Sequence, residues 1–274
     1  MSSRPEHTAP PEIFYNDVEA KKYTQNSRII SIQNEMSYRA IELLNLPEDK
    51  ICYILDIGCG SGLSGDCLSD EQHVWVGMDI SKSMLDVAVE NESDGDLFLQ
   101  DIGQGMGFRP GTFDGCISIS VIQWLCNADK QSHEPKKRLN RFFTTLFTAM
   151  TKGARCVFQF YPENPSQVEM IVSSAMKAGF SGGLVVDYPN STKAKKYFLC
   201  LFAGASTVQD LPKPLEGEEG VKYSGQTIRE RKSKSRKAVK DKNWVLKKKE
   251  TRRRQGKPTA NDSKYTARKR RPTF

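Results

Sequence analysis

Three glycines at alternate positions, Gly58, Gly60 and Gly62, close an apolar run in the stretch ILDIGCGSG, and three carboxylates, Asp56, Asp79 and Asp101, are spaced around and beyond them. A glycine turn at the carboxyl end of a strand presents bare main chain to a small ligand. At Gly60 the missing Cβ lets a cofactor lie against the backbone. An acid about 20 residues past such a turn is placed to take both hydroxyls of a ribose, and Asp79 stands there. Asp101, followed by Ile102, suits an adenine: the carboxylate accepts from the amino group and the isoleucine covers the ring face. Asp56, just before the turn, would accept, directly or through water, from the ammonium of an amino acid moiety. A dinucleotide fingerprint would put its third glycine at position 63, where Leu63 stands. Glycines at 58, 60 and 62 are the spacing used for S-adenosylmethionine (SAM), which is the expected cofactor.

These residues need strand ends to hold them, and the hydrophobic pattern supplies the strands. Short apolar runs at 52–57, 73–79, 96–100, 112–120 and 155–161 alternate with helical patterns at 61–68, 82–90, 135–150 and 166–178. Two further strands, 184–188 and 196–203, are joined by a short polar link and read as an antiparallel hairpin. Alternating β/α units of this kind predict an α/β, Rossmann-like doubly wound fold. The sheet is expected to be seven-stranded and mainly parallel, with the hairpin at its end. Upstream, residues 1–12 read as an irregular arm, 13–26 as a short helix bearing Tyr15 and Tyr23, and 27–46 as a longer amphipathic helix. This pair is expected to lie against the sheet and roof the ligand site. The domain reading is therefore an N-terminal arm and helices over 1–50, a catalytic core over 51–204, a Pro/Gly/Glu-rich linker over 205–227 and a tail over 228–274.

Charge separates the tail from the rest. Residues 229–274 hold 20 Lys and Arg against 4 Asp and Glu, which leaves 21 basic and 29 acidic side chains in the remainder of a chain with 41 and 33. An acidic body carrying a basic, largely disordered tail points to nucleic acid or an import receptor as partners. The seven cysteines form no Cys-x-x-Cys pair and the three histidines are scattered, so reduced thiols and no metal site are expected. No apolar run approaches the roughly 20 residues that span a bilayer, so no membrane partner is expected.

ILDIGCGSG, VGMD, LQDIG and DGCISISVIQWL resemble, in order, the motifs of class I SAM-dependent methyltransferases. More narrowly, PPEIFYNDVEAKKY, LDIGCGSGLSGD, SISVIQWLCNAD, QFYP, AGFSGGLVVDYP and the RKRR ending resemble the eukaryotic small-subunit (18S) ribosomal RNA guanine-N7 methyltransferases over nearly the whole chain. The resemblance implies cofactor contacts at Gly58, Gly60, Asp79, Asp101 and Ile102, and a segment from Ser120 to Leu125 that faces the methyl group. It implies methylation of N7 of a guanine in 18S rRNA during 40S subunit biogenesis. An Asn-Pro-Pro-aromatic element, common where exocyclic amines of bases are methylated, is absent. That fits a ring nitrogen, whose free lone pair needs no general base, so catalysis would rest on positioning and electrostatics. Trp124 is the candidate base-stacking surface and Gln123 the candidate contact to the guanine edge. Tyr161 would form the opposite wall, with Tyr15 and Tyr23 closing the pocket. The third strand should be a sheet edge, and DLFLQD invites another chain to add a strand there. The resemblance supplies a small zinc-binding methyltransferase activator as that partner, with pre-ribosomal particles as the setting and the nucleus (nucleolus and nucleoplasm), with some cytoplasmic protein, as the location. Two other readings remain open at this point: a non-catalytic pre-ribosome assembly factor, and a SAM methyltransferase acting on a small molecule or protein.

Overall fold

The computed structural model describes residues 4–47, 49–130, 133–191, 194–204, 211–215, 242–254 and 258–262. The chain divides into two units, Met1–Glu219 and Gly220–Phe274. In the first, helices α1 (Pro11–Phe14), α2 (Asp17–Gln25) and α3 (Ser27–Leu44) precede the alternation β1 (Tyr53–Ile57), α4 (Leu63–Asp70), β2 (Val74–Asp79), α5 (Lys82–Glu90), β3 (Asp96–Leu99) and β4 (Phe113–Ile119). A 3-10 helix, Ile122–Cys126, leads to α6 (Pro135–Ala149), β5 (Met150–Phe160), α7 (Pro165–Lys177), β6 (Phe180–Asp187) and β7 (Lys196–Ala203). The described part of the second unit contains α8 (Lys242–Arg254). Lys249 pairs there with Asp262 at 2.9 Å, which ties the following segment back to the helix.

The seven strands form one sheet in the order β3-β2-β1-β4-β5-β7-β6. β1 to β5 run parallel to one another, and β7 is antiparallel to both β5 and β6. The doubly wound reading and the edge position of β3 are therefore as the sequence indicated. Side chains of successive strand residues point to opposite faces. Leu55, Ile57 and Val76 join Phe142, Phe143, Phe158 and Phe160 under α6 and α7. Ile54, Trp75, Ile117 and Val157 pack on the other side with Met36, Leu43 and Leu44 of α3 and Leu68 of α4. Both faces are covered, which is why these strands read as continuous apolar runs.

Several boundaries differ from the sequence reading. The helix expected over 13–26 is two helices, because the Asn16 side chain accepts from the main-chain N–H of Val18 and Glu19 and starts α2 afresh. Asn26 repeats the device for α3 by accepting from Arg28 and Ile29. β5 begins five residues earlier than expected, since α6 runs straight into it and Met150 pairs with Phe113. β6 begins at Phe180 rather than 184. Two glycines hide its start, and at Gly182, φ +132°, a Cβ would meet the Cys200 carbonyl at 2.1 Å.

Part of the expected linker is docked on the body. The Leu215 N–H donates to Asp187 Oδ1 at 2.8 Å, the Tyr188 N–H donates to the Leu215 carbonyl at 2.8 Å, and Arg39 donates to the Lys213 carbonyl at 2.9 Å. Asp187 is buried, and a paired guanidinium from Arg39 compensates its charge. The rest of the 205–227 linker and most of the 228–274 tail lie outside the described residues. No helix among the described residues is long and apolar enough to cross a membrane.

Candidate active site

β1 ends in the glycine turn, and the turn is held from the neighbouring strand. The N–H groups of Gly58 and Cys59 both donate to the Met78 carbonyl of β2, at 2.7 and 3.2 Å. All three turn glycines have positive φ, between +52° and +88°, a region that costs other residues about 1–2 kcal/mol. At Gly58 the space is also taken, since a Cβ would lie 2.0 Å from Val121 Cγ2. Gly62 caps α4, so that helix begins at Leu63 rather than Ser61. Cys59 also lines the cavity, and its sulfur packs against Gly77 of β2 as a small filler.

Above the turn a cavity of about 970 Å³, including its open mouth, sits at the carboxyl ends of β1, β2 and β4. This is where ligands bind in open α/β sheets. Gly58, Gly60, Asp79, Asp101, Ile102, Ser120, Trp124, Tyr15 and Tyr23 all line it. Asp56, Gln123 and Tyr161 do not. Asp56 is fully buried one layer below, where it accepts from the hydroxyl of Ser64, itself a lining residue, at 2.6 Å. Gln123 is buried and turned back, its amide donating to the Ser120 carbonyl at 2.9 Å. The Tyr161 ring lies under Lys196, whose ammonium also donates to the tyrosine hydroxyl at 2.8 Å.

Asp79 is the hinge of the arrangement. One carboxylate oxygen accepts from Gly60 N–H at 2.9 Å and the other from Ser81 N–H at 2.7 Å. It therefore ties the glycine turn of β1 to the start of α5 and keeps lone pairs directed at the cavity. Burial raises its pKa, and the backbone donors oppose the rise. Asp101 accepts from Gly103 N–H and from Arg138 at 2.7 Å, both on Oδ1. Ser120, at the end of β4, holds φ +62°, rare for a residue with a side chain. Its N–H donates to the Gln159 carbonyl at 2.9 Å and its hydroxyl to the Gln159 side chain at 2.7 Å, so β5 fixes the strained turn.

The roof comes from the N-terminal segment. Ser81 Oγ donates to the Tyr15 carbonyl at 2.7 Å, Glu12 pairs with Lys130 at 3.2 Å, and Arg4 donates to the carbonyls of Tyr161 and Pro162 at 3.0 Å each. Tyr15 meets Trp124 at 6.0 Å between ring centres, and Phe14 meets it at 6.1 Å. Burial, with Asp79 adding to it, pushes the Tyr15 hydroxyl up to about 12, so it stays a neutral donor.

Among the described residues, the buried Ser61 Oγ on the cavity wall and Asp56 Oδ1 beneath it lack partners. Together with the Asp79 lone pairs and the Ile102 side chain, these fit an adenosyl group carrying an amino acid: acceptors for ribose hydroxyls, an apolar cover for the base and a buried acid toward an ammonium. Burial pushes Asp56 up to about 7, with Ser64 lowering and Asp79 raising it. The folded state therefore holds this proton more tightly than the unfolded chain does. Between pH 4 and 7 the ligand-free protein should lose stability as pH rises, by an amount on the order of 1–4 kcal/mol. Urea denaturation across that range checks the slope, which Asp56→Asn should flatten.

Gln33, Arg138 and Asp129 also line the cavity, and no spacing in the sequence marked them. Arg138 is one of several cations opening α6, and only the fold shows which of them turns toward Asp101. Among the described residues, no group of three or more His, Cys, Asp or Glu side chains is placed to hold a metal.

Residues 55–158 match the methyltransferase domain family, and residues 201–272 match the family described as a methyltransferase involved in Williams-Beuren syndrome. The solved structure of Haemonchus contortus phosphoethanolamine N-methyltransferase 2 with S-adenosyl-L-methionine shares the fold at TM-score 0.53 and 17% identity, over 78% of this chain and 60% of that one. The mouse 18S rRNA (guanine-N(7))-methyltransferase is 55% identical over 100% of this chain and 99% of its own. A Saccharomyces cerevisiae 18S rRNA (guanine(1575)-N(7))-methyltransferase is 52% identical over 99% and 100%. Likeness of that degree across both the glycine-turn core and the basic tail places the chain in one family: it belongs to the 18S rRNA (guanine-N7)-methyltransferases.

Proposed function

We propose that the chain transfers a methyl group from SAM to N7 of a guanine in small-subunit rRNA. The observation that carries this is a cavity combining the glycine turn, Asp79 and Trp124 in a chain that matches rRNA guanine-N7 methyltransferases along its whole length. SAM supplies a methyl group already activated by a positive sulfur. The chain's own residues bind, orient and exclude water. Gly58 to Ser61 offer main chain to the cofactor. Asp79 takes the ribose hydroxyls on its remaining lone pairs, while Ile102 and the free oxygen of Asp101 receive the adenine. Asp56 acts on the ammonium from below, through the Ser64 hydroxyl or a water. Ser120, Trp124 and Leu125 form the wall toward the reacting nitrogen. Trp124 offers a stacking face to the base, and Tyr15 and Tyr23 close the pocket from above. Gln123 shapes that wall through Ser120 rather than by touching the base, and Tyr161 anchors the roof through its carbonyl. N7 carries a lone pair and no proton, so the rate comes from alignment and from acids around the site that tolerate charge on the purine. Chemical-cleavage mapping of N7-methylguanine in small-subunit rRNA, with and without the chain, tests the reading. An unchanged pattern would refute it.

The edge strand supports a partner. Among the described residues β3 is unpaired on its outer side, and its Phe98 and Leu99 are 47% and 58% exposed. An apolar edge of this kind is an aggregation hazard unless covered. The reading is a heterodimer with a small zinc-binding activator that adds its own strand here. Replacing Phe98 and Leu99 by Asp and Lys should abolish copurification of such a subunit while leaving the rest of the sheet folded. Retained copurification would rule this edge out. The basic tail suits an import receptor and rRNA phosphates, and with them a nuclear location. Deleting 228–274 should move the protein out of the nucleus and lower pre-ribosome association, as read by fractionation.

A further inference from the structure

Asp129 follows the 3-10 helix that carries Trp124, and it lines the same cavity. It is half-buried. The cations around it are committed elsewhere. Lys130 pairs with Glu12 of the roof at 3.2 Å, and Arg138 donates to Asp101 at 2.7 Å. His133 and Arg138 act on Asp129 only through their fields, and among the described residues no group donates a hydrogen bond to its carboxylate. A carboxylate that lines a ligand cavity and accepts from no described residue is an acceptor pair for two donors.

A guanine presented by N7 has such a pair on its far edge. The N1–H and the exocyclic amine point away from N7, side by side, at the spacing of the two oxygens of one carboxylate. Adenine has an acceptor at N1 and would be repelled. We propose that Asp129 is the specificity-determining residue of this site, its carboxylate receiving N1–H and the exocyclic amine of the target guanine. The inference rests on the guanine-N7 reading above and names the residue that selects the base.

The same contact bears on rate. In the transfer, the N7 lone pair forms the new N–C bond, the methyl–sulfur bonding pair stays on sulfur, and the positive charge passes from sulfur to the purine. No proton leaves. Charge on the purine makes N1–H a stronger donor, so its bond to Asp129 tightens in the transition state more than in the ground state. A neutral acceptor would not follow that charge. Asn in its place also offers one donor against the donors of guanine.

The test uses cells whose only copy is the wild-type chain, Asp129→Asn, Asp129→Glu or Asp79→Ala. Three quantities are read: the methylated fraction of small-subunit rRNA by cleavage mapping, the retention of labelled SAM by the isolated full chain, and its association with pre-rRNA. The expected result for Asp129→Asn is a loss of methylation of about tenfold or more, with SAM retention and pre-rRNA association within about twofold of wild type. Asp129→Glu, which keeps the acceptor pair, should recover part of the signal. Methylation within about twofold of wild type in Asp129→Asn would overturn the proposal. So would a parallel loss of SAM retention, which would make Asp129 a cofactor or folding residue. Absence of N7-methylguanine with the wild-type chain would instead overturn the functional reading itself, a separate outcome.

Discussion

Asp79→Ala should lower SAM affinity by about 100-fold or more, read by calorimetry on the full chain, and methylation should fall with it. Two contributions combine. The variant removes a charged acceptor for two ribose hydroxyls, and hydrogen bonds to charged groups are worth roughly 1.5–3 kcal/mol each. It also releases the Gly60 and Ser81 N–H groups that the carboxylate now holds at 2.9 and 2.7 Å. The turn then loses its tie to α5, and a cofactor must order what is at present preorganised. Asp79→Asn separates the two effects. Its amide keeps one acceptor for a main-chain donor but sets an NH₂ against the other. It should retain the fold and part of the turn geometry while losing most of the affinity. If Asp79→Ala binds SAM as the parent does, the ribose assignment is wrong.

Trp124→Ala should reduce methylation by about 10–100-fold. Base–aromatic stacking contributes roughly 1–3 kcal/mol per base. The indole also supports the roof, because Phe14 and Tyr15 lie against it. It is only 6% exposed, so truncation also opens a void, and a core tryptophan lost to alanine costs about 3–5 kcal/mol. A fall in Tm is therefore expected alongside the loss of activity. Trp124→Phe distinguishes the contributions. It keeps a stacking face and most of the packing, and it should hold methylation within about fivefold of the parent. Full methylation by Trp124→Ala, with rRNA supplied at limiting concentration, would remove Trp124 from the substrate site and leave it as a packing residue.

The burial of Trp124 bears on how substrate enters. Tyr15 and Phe14 lie over the indole, where a flipped base would come. The roof is held by a few polar ties, Ser81 to the Tyr15 carbonyl, Lys130 to Glu12 and Arg4 to the carbonyls of Tyr161 and Pro162. Ser81 is buried, and Tyr15 and Tyr23 also pack on Ala20, Met84 and Val87. The Glu12–Lys130 pair is the more exposed tie, so the α1 end of the roof is the part that yields to a ligand at least cost.

Gly58, Gly60, Asp79 and Asp101 were legible as residues of the cavity because their positions are set by the main chain. Positive φ, a strand end and a short turn are local requirements, and they leave local marks in residue type and spacing. The edge position of β3 was legible only through the resemblance to methyltransferases, since strand order leaves no local mark. The hairpin ends were less legible because glycines in β6 and the direct passage from α6 into β5 carry no apolar alternation. Gln123 was read as facing the base on its position after β4. The 3-10 helix turns it inward, where its amide donates to Ser120, a rotation that spacing does not encode.

By itself, the sequence determined the kind of ligand, the sheet that holds it and the basic tail, because glycine conformation, hydrophobic period and net charge are properties of neighbouring residues. The tertiary structure alone decided which side chains share the cavity. Arg138 meets Asp101 across 37 positions. Asp56 sinks below the floor behind Ser64, and Asp129 lines the same cavity as Trp124. Segment 211–215 lies docked on Arg39 and Asp187 instead of running free. Such pairings depend on how distant elements pack, and packing takes its energy from burial that no local window contains.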